Sequence, residues 1–323
     1  MKIYRTLEEL NHPFSHACVT IGNFDGVHLG HQQLFGEVAN RAYRQQGTSI
    51  AITFEPHPLQ VLKPGGIKLI SNCQQKAELI RMAGIDVLVV VPFTREFAAT
   101  SADTFVDELL VQKIGIEELV VGYDYAFGKG RAGNIPFLQN KGEEHGFSVT
   151  VVDAHFKDGT LVSSSQIRRL LAEGNMVEAG KLLGRHYQIR GQVQVGKQRG
   201  GKEIGFPTAN LKFSEEDLVP RHGVYVSQVI CDGKCYGGVL NIGCNPTFGE
   251  QSVVAETHIF EFNEDIYGKP IKVNLLDFLR DETRFSGIEE LATQISKDVV
   301  RAKQVLSEHQ KELVLSCGDE FNQ

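Results

Sequence analysis

Short apolar runs alternate with longer amphipathic stretches through the first half of the chain. "ACVTIG", "SIAITF", "DVLVVV", "ELVVG" and "FSVTVV" are continuous runs of strand length, the pattern of strands buried on both faces. Between them, "HQQLFGEVANRAYRQQG", "SNCQQKAELIRMAG" and "SADTFVDELLVQKIG" carry helical periodicity. Ser71 is a candidate cap for the second, with Gln74 three residues on and Gly84 as its stop. The third is expected to begin at Ser101 or Asp103 and to end before Gly115. Strand–helix alternation of this kind predicts a mainly parallel sheet covered by helices on both faces. Ligands of such sheets sit at the carboxyl ends of strands, near a topological switch point.

The pattern changes after "NMVEAGKLLGRHYQIRG". "YQIRGQVQV", "GVYVSQVI", "KCYGGVLNIG", "VVAETHIFEF" and "PIKVNLLDFL" follow one another with turns between them and no long helix, which predicts an antiparallel barrel. "IEELATQISKDVVRAKQVLSEHQ" closes this half as a helix. The boundary is placed near Gly184, dividing the chain into residues 1–183 and 184–323; no internal repeat or low-complexity tract interrupts either part.

A length of 323 residues suits two domains, each able to bury its own core. The composition, 41% hydrophobic with no Trp, is that of a soluble globular chain. Apolar runs such as "IDVLVVVPF" are too short to span a bilayer, and "MKIYRTLEELNHPF" has acidic residues where an export signal needs an apolar core. A cytoplasmic protein is expected. A net charge of −7 argues against a nucleic-acid coat while leaving room for a local basic pocket. The expected partners are small molecules, with no nucleic acid, no membrane and at most weak self-association. The six cysteines are scattered and do not read as a disulfide framework. Cys231 and Cys235 flank Asp232-Gly233, a hairpin signal that outweighs a metal reading because no second pair lies nearby.

The first candidate site is "TIGNFDGVHLGHQQL", Thr20 to Leu34. A strand hands over to a helix through a glycine-rich turn, so His28 and His31 flank a helix N-terminus. Free backbone N–H groups and the macrodipole favour an anion there, and imidazolium groups would add donors. The alternative is that either histidine caps the helix or packs on the sheet; the pairing His-x-Gly-His favours a phosphate grip.

"GNFDGVHLGHQ" resembles the HxGH signature of the nucleotidylyltransferase superfamily, in the version found in prokaryotic bifunctional riboflavin kinase/FAD synthetases. "TFEPHP" (53–58), "VGYDYAFGKGRAG" (121–133) and "VSSSQIRRLL" (162–171) match further segments of that family in order. The resemblance implies a Rossmann-like parallel-sheet domain in which the phosphate of FMN attacks the α-phosphorus of ATP, giving FAD and pyrophosphate. The nucleophile is already ionised, so catalysis comes from alignment and charge stabilisation. By the resemblance His28 and His31 stabilise the transition state. Gly22, Phe24, Asp25, Gly30, Ser163, Ser164, Ser165 and Arg168 bind ATP and its phosphates. Alone, the serines would read as an ordinary helix cap. Phe54, Asp124 and Phe127 are candidate flavin-binding residues; Phe54, Tyr123, Tyr125 and Phe127 are candidates to stack on the isoalloxazine ring, each equally a candidate core residue.

In the second half "GKQRGGKE" (196–203) has the spacing of a Walker loop, but Glu203 stands where Ser or Thr is needed and Pro207 follows. "GFPTAN" (205–210) instead resembles the Pro-Thr-Ala-Asn signature of riboflavin kinases, with the glycine-rich segment before it as a nucleotide flap. The resemblance places Gly196, Lys202 and Gly205 on ATP. In an extended segment Thr208 and Asn210 would present neutral oxygens to one side, suited to a Mg²⁺ ion bridging ATP phosphates; a plain polar turn is the alternative. "RHGVYVSQV", "NIGCNPTFG" and "AETHIFEF" resemble the kinase's later segments, which puts Glu256 in the place of the catalytic carboxylate and makes Asn245 a flavin candidate. Strand alternation sets Glu256, His258, Phe260 and Phe262 on one face and Thr257, Ile259 and Glu261 on the other, and does not itself choose between them. One departure is Lys202 in the flap, where the family has Arg: the charge is kept and the fork is lost. The expected protein makes FMN from riboflavin and FAD from FMN, using ATP and Mg²⁺. The alternatives are that one module alone is active, or that the chain is a non-catalytic flavin or nucleotide sensor.

Overall fold

The first half builds one parallel sheet from β1 (Lys2–Tyr4), β2 (Ala17–Ile21), β3 (Thr48–Glu55), β4 (Val87–Pro92), β5 (Ile116–Gly122) and β6 (Ser148–Val152), in the order β1-β4-β3-β2-β5-β6. The computed structural model describes residues 1–63, 65–194, 206–244 and 253–308. Gly196, Lys202, Gly205 and Asn245 lie outside the described residues. β2 runs between β3, which follows it directly, and β5, which arrives much later; the turn after β2 is therefore the switch point of the sheet.

Every residue of β2 is buried, because alternate side chains enter two different cores. Ala17, Val19 and Ile21 pack with Ile50, Ile52, Leu109 and Leu110 on one side. Cys18, Ala51, Leu88 and Val120 pack on the other against Leu34, Phe35 and Val38 of α1 (Leu29–Arg44). The remaining helices of this half are α2 (Pro58–Leu62), α3 (Cys73–Met82), α4 (Arg95–Ala98), α5 (Ala102–Thr104) and α6 (Ile135–His145). The expected cover on both faces is present.

Two local expectations differ in detail. Asn72, not Ser71, caps α3: its Oδ1 accepts the N–H of Gln75 at 2.9 Å, while the Ser71 hydroxyl accepts the N–H of Gly26. Ser101 does cap α5, which widens into π-helical turns over Phe105–Ile114 and stops at Gly115, φ +69°. A small hairpin, β7 (Phe156–Lys157) with β8 (Thr160–Leu161), precedes α7 (Ser164–Glu173) and α8 (Met176–Leu183). By contacts the chain divides into two compact units, Met1–Ser164 and Ser165–Gln323. α8 is grouped with the second because it packs on β9 (Tyr187–Gln192) and β14 (Pro270–Arg280).

The second unit is an antiparallel sheet with β10 (Ala209–Lys212), β11 (Gly223–Cys231), β12 (Lys234–Cys244) and β13 (Val253–Ile259), in the order β10-β13-β12-β11-β14-β9. Beyond the ladder of β9, the N–H of Gln194 donates to the carbonyl of Asn210 at 2.8 Å and draws the two edges together into a nearly closed barrel. Asp232 (φ +47°) and Gly233 (φ +75°) make the β11–β12 turn, so the Cys231–Cys235 segment is the expected hairpin. β13 stops at Ile259, earlier than expected, because Glu261 turns at φ +54°. The alternation that would align Phe260 and Phe262 with Glu256 therefore ends there, and Phe260 joins the core beneath α9 (Ile288–Glu308).

Arg280 anchors α9 to the barrel. Its guanidinium meets the buried carboxylate of Asp298 in a forked pair, 2.7 Å at the shortest, and Gln294 donates to the same carboxylate. Asp298→Ala leaves the cation without its partner and is expected to lower the unfolding free energy by about 3 kcal/mol. Urea denaturation followed by circular dichroism measures the loss.

Candidate active sites

The turn between β2 and α1, residues 22–28, carries three residues in left-handed conformations: Phe24 (φ +48°), Gly26 (φ +80°) and Val27 (φ +41°). For a β-branched residue this is a strained backbone, the kind a functional turn retains. Three ties hold it. The Phe24 ring is buried between Phe35 and the His31 ring, at centroid distances of 4.7 and 5.3 Å. The buried Asp25 carboxylate accepts the N–H groups of Ile70 and Ser71, each at 3.1 Å. The Ser164 hydroxyl donates to the Asp25 carbonyl at 2.9 Å.

His28 is the N-cap of α1, and its Nδ1 accepts the N–H of His31 at 3.3 Å. The structure thus gives His28 the capping role. With Nδ1 accepting, the neutral ring carries its proton on Nε2. The two imidazoles stack with centroids 3.6 Å apart and planes 17° from parallel, a spacing at which two imidazolium charges repel. Gly30 makes the stack possible, since a Cβ there would stand 3.3 Å from the His28 ring.

The structure thus gathers Gly22, Phe24, Asp25, His28, Gly30, His31 and Ser164 at the carboxyl edge of β2. The Phe24 ring packs inward on the core, and the Asp25 carboxylate accepts backbone amides. Ser163 leads into α7, and Ser165 and Arg168 lie on its first turns, in the second unit. Two residues of this region escaped the sequence reading. His57 is buried and begins α2, its Nδ1 accepting the N–H of Leu59 at 3.1 Å; a His before a helix-starting Pro was the available signal. Lys76 is buried inside α3, and an amphipathic helix offers no hint of that.

Phe54 and Phe127 belong to one aromatic belt. Phe54 meets Phe97 at 6.1 Å, Phe97 meets Phe105 at 6.3 Å, and Phe127 meets Phe105 at 5.0 Å and Tyr125 at 5.6 Å. Phe54, Phe97, Tyr125 and Phe127 stay partly exposed around the buried Phe105, so they are both packing and wall. The Tyr125 hydroxyl is buried with no hydrogen-bond partner among the described residues, and burial raises its pKa. The Asp124 and Tyr123 side chains are exposed.

In the second unit, Asn210 on β10, Glu256 on β13 and Asn241 on β12 stand opposite one another in register, so their side chains share a face. Glu256 is half-buried and Asn210 buried. Asn241 Nδ2 donates to Glu282 at 3.4 Å, adding a second carboxylate; Gly243 leaves it room, since a Cβ there would clash with it. Thr208 precedes the strand and lines a cleft of about 320 Å³ with Val193, Pro207, Thr257, Ile259 and Tyr267. Thr208 and Asn210 are linked by a 3.5 Å bond from Asn210 Nδ2 to the Thr208 carbonyl. Their oxygens, with Glu256 alongside, are hard donors of the kind magnesium accepts. Among the described residues no cluster of three or more His, Cys, Asp or Glu side chains suits a tightly held transition metal.

Comparison with known proteins matches both halves. The FAD synthetase family profile covers residues 11–166 and the riboflavin kinase profile residues 183–306. The bifunctional riboflavin kinase/FMN adenylyltransferase of Listeria monocytogenes is 37% identical over 87% of this chain and 89% of that protein. Its counterpart in Escherichia coli K12 is 35% identical over 94% and 97%. A crystal structure described as a macrolide-efflux protein from Streptococcus pneumoniae superposes with a TM-score of 0.84 at 30% identity, covering 94% of this chain and 99% of that one. Among the described residues of this chain, no helix is long and apolar enough to cross a membrane.

Proposed function

The chain belongs to the family of bifunctional riboflavin kinase/FMN adenylyltransferases, and on that premise we propose that residues 184–323 phosphorylate riboflavin and residues 1–183 adenylylate the resulting FMN. The product is FAD, made in two ATP-dependent transfers. The observation that carries the adenylylation assignment is the stacked His28–His31 pair on the first turn of α1, at the switch point of the parallel sheet.

In the kinase step the ribityl 5′-hydroxyl of riboflavin attacks the γ-phosphorus of ATP, and ADP leaves. Glu256 orients that hydroxyl and accepts its proton, with Asn210 and Asn241 flanking the carboxylate. Thr208 and Asn210 would hold magnesium by oxygen, and the ion supplies neutralisation of the phosphate charge. In the adenylylation step an FMN phosphate oxygen attacks the α-phosphorus of the second ATP and pyrophosphate leaves. His28 donates from Nε2 and His31 stands beside it, so the charge building on the phosphate meets fixed donors and the amino end of α1. Ser163, Ser164, Ser165 and Arg168 bind phosphates. The aromatic belt from Phe54 to Phe127 offers an apolar wall for the flavin ring. A cytoplasmic location completes this reading.

Incubation with riboflavin, ATP and Mg²⁺, followed by chromatography over time, tests it: FMN is expected first and FAD after it. A preparation that yields neither product defeats the assignment. Gly30→Ala sets a methyl 3.3 Å from the His28 ring, which must give by a few tenths of an ångström. FAD formation is expected to slow about tenfold, measured as initial rate from supplied FMN.

A further inference from the structure

Lys76 is 4% exposed, yet it sits in the first turn of α3, where the helix macrodipole disfavours a cation. A hydrophobic residue of the same length would fill the position with less desolvation penalty. What the lysine does have is a particular set of oxygens. Its Nζ lies 3.3 Å from the carbonyl of Asn23, 3.5 Å from the carbonyl of Phe54 and 3.8 Å from the carboxylate of Glu55. Asn23 belongs to the turn after β2, and Phe54 and Glu55 end β3. The last ladder bond between these strands is the N–H of Gly22 to the carbonyl of Ile52, at 3.0 Å. Beyond it the strands separate, and the ammonium spans the gap together with the Thr53 hydroxyl, which donates to the Asn23 carbonyl at 3.2 Å.

We propose that Lys76 is a positioning residue for adenylyl transfer. Its ammonium clamps the turn that ends in His28 to the carboxyl end of β3 at Phe54 and Glu55, holding the histidine stack in register with the phosphate it serves. The inference rests on the adenylylation reading above. A neutral side chain could fill the volume but could not bind two carbonyls and a carboxylate at once.

The groups facing the ammonium set its titration. Burial pushes its pKa down, while Glu55, Cys73 and Asp25 act in the opposite direction. A lysine whose folded-state pKa is depressed penalises folding while charged, so stability rises as pH climbs through that value. The clamp is lost over the same interval. That contribution to stability and FAD formation should therefore move in opposite directions with pH, read as the difference between the parent and a variant without the ammonium, which a merely structural lysine would not produce.

The test uses the full chain. Lys76→Met should lower kcat for FAD formation from supplied FMN at least tenfold, with a smaller change in KM for ATP and no change in FMN formation. The difference between the parent and Lys76→Met should also show the opposed pH profiles of urea resistance and FAD formation. A Lys76→Met rate within threefold of the parent overturns the inference. If that variant fails to fold, Lys76→Gln decides by the same readout: a kcat for FAD formation at least tenfold down with FMN formation unchanged supports the clamp, and a rate within threefold of the parent overturns it. A parent chain that makes FMN and no FAD defeats the adenylylation reading itself, and this inference with it.

Discussion

His28→Ala should lower the rate of FAD formation about 10²–10³-fold while FMN formation stays within about twofold. The size of the effect follows from the donor's place: it acts at the phosphate where charge accumulates, not at a distant binding contact. The same substitution removes the cap of α1, which is worth about 1 kcal/mol. His28→Asn separates these losses, because Asn is among the best capping residues but cannot place a ring against His31. Its melting temperature should recover and its FAD formation should not. Initial rates from supplied FMN, set beside thermal unfolding of both variants, make the comparison. Equal loss of the two activities in His28→Ala would contradict separate sites.

Glu256→Gln should produce the mirror image. The amide matches the carboxylate in shape, keeps its place between Asn210 and Asn241, and cannot take a proton from the ribityl hydroxyl. FMN formation should fall about 10²–10⁴-fold, the usual worth of a positioned general base. FAD formation from supplied FMN should be unchanged, and so should the urea midpoint. A Glu256→Gln chain that phosphorylates riboflavin at the parental rate would move the base elsewhere, with Glu282, bonded to Asn241, the first alternative to replace.

Much of the architecture was legible because it rests on periodicity. The runs around Val19, Ile50, Val89 and Val120 are apolar on both faces, and only a covered parallel sheet buries both. The His28–His31 spacing was legible as chemistry because N-cap and third helical positions share one face. What escaped were features set by distant partners. Ser71 reads locally as a cap, but Asp25 and Gly26, 46 and 45 residues away in sequence, claim it. Asp25 was legible as an acid of the turn but not as the acceptor of the Ile70 and Ser71 amides. β10 is four residues long and was visible only as the tail of a motif, so its register against Glu256 could not be anticipated. Lys76 is the extreme case: helical patterning assigns lysine to water, and only the folded chain shows two carbonyls waiting for it.

The hydroxyl of Ser164 reaches a carbonyl 139 residues earlier, and Asp25 holds amides 45 residues ahead of it. Closures of such span come late in folding, since local helices and adjacent strands form first. During synthesis this turn stays without that tie until the ribosome has released the chain to about its midpoint, and fragments ending before that serine never acquire it.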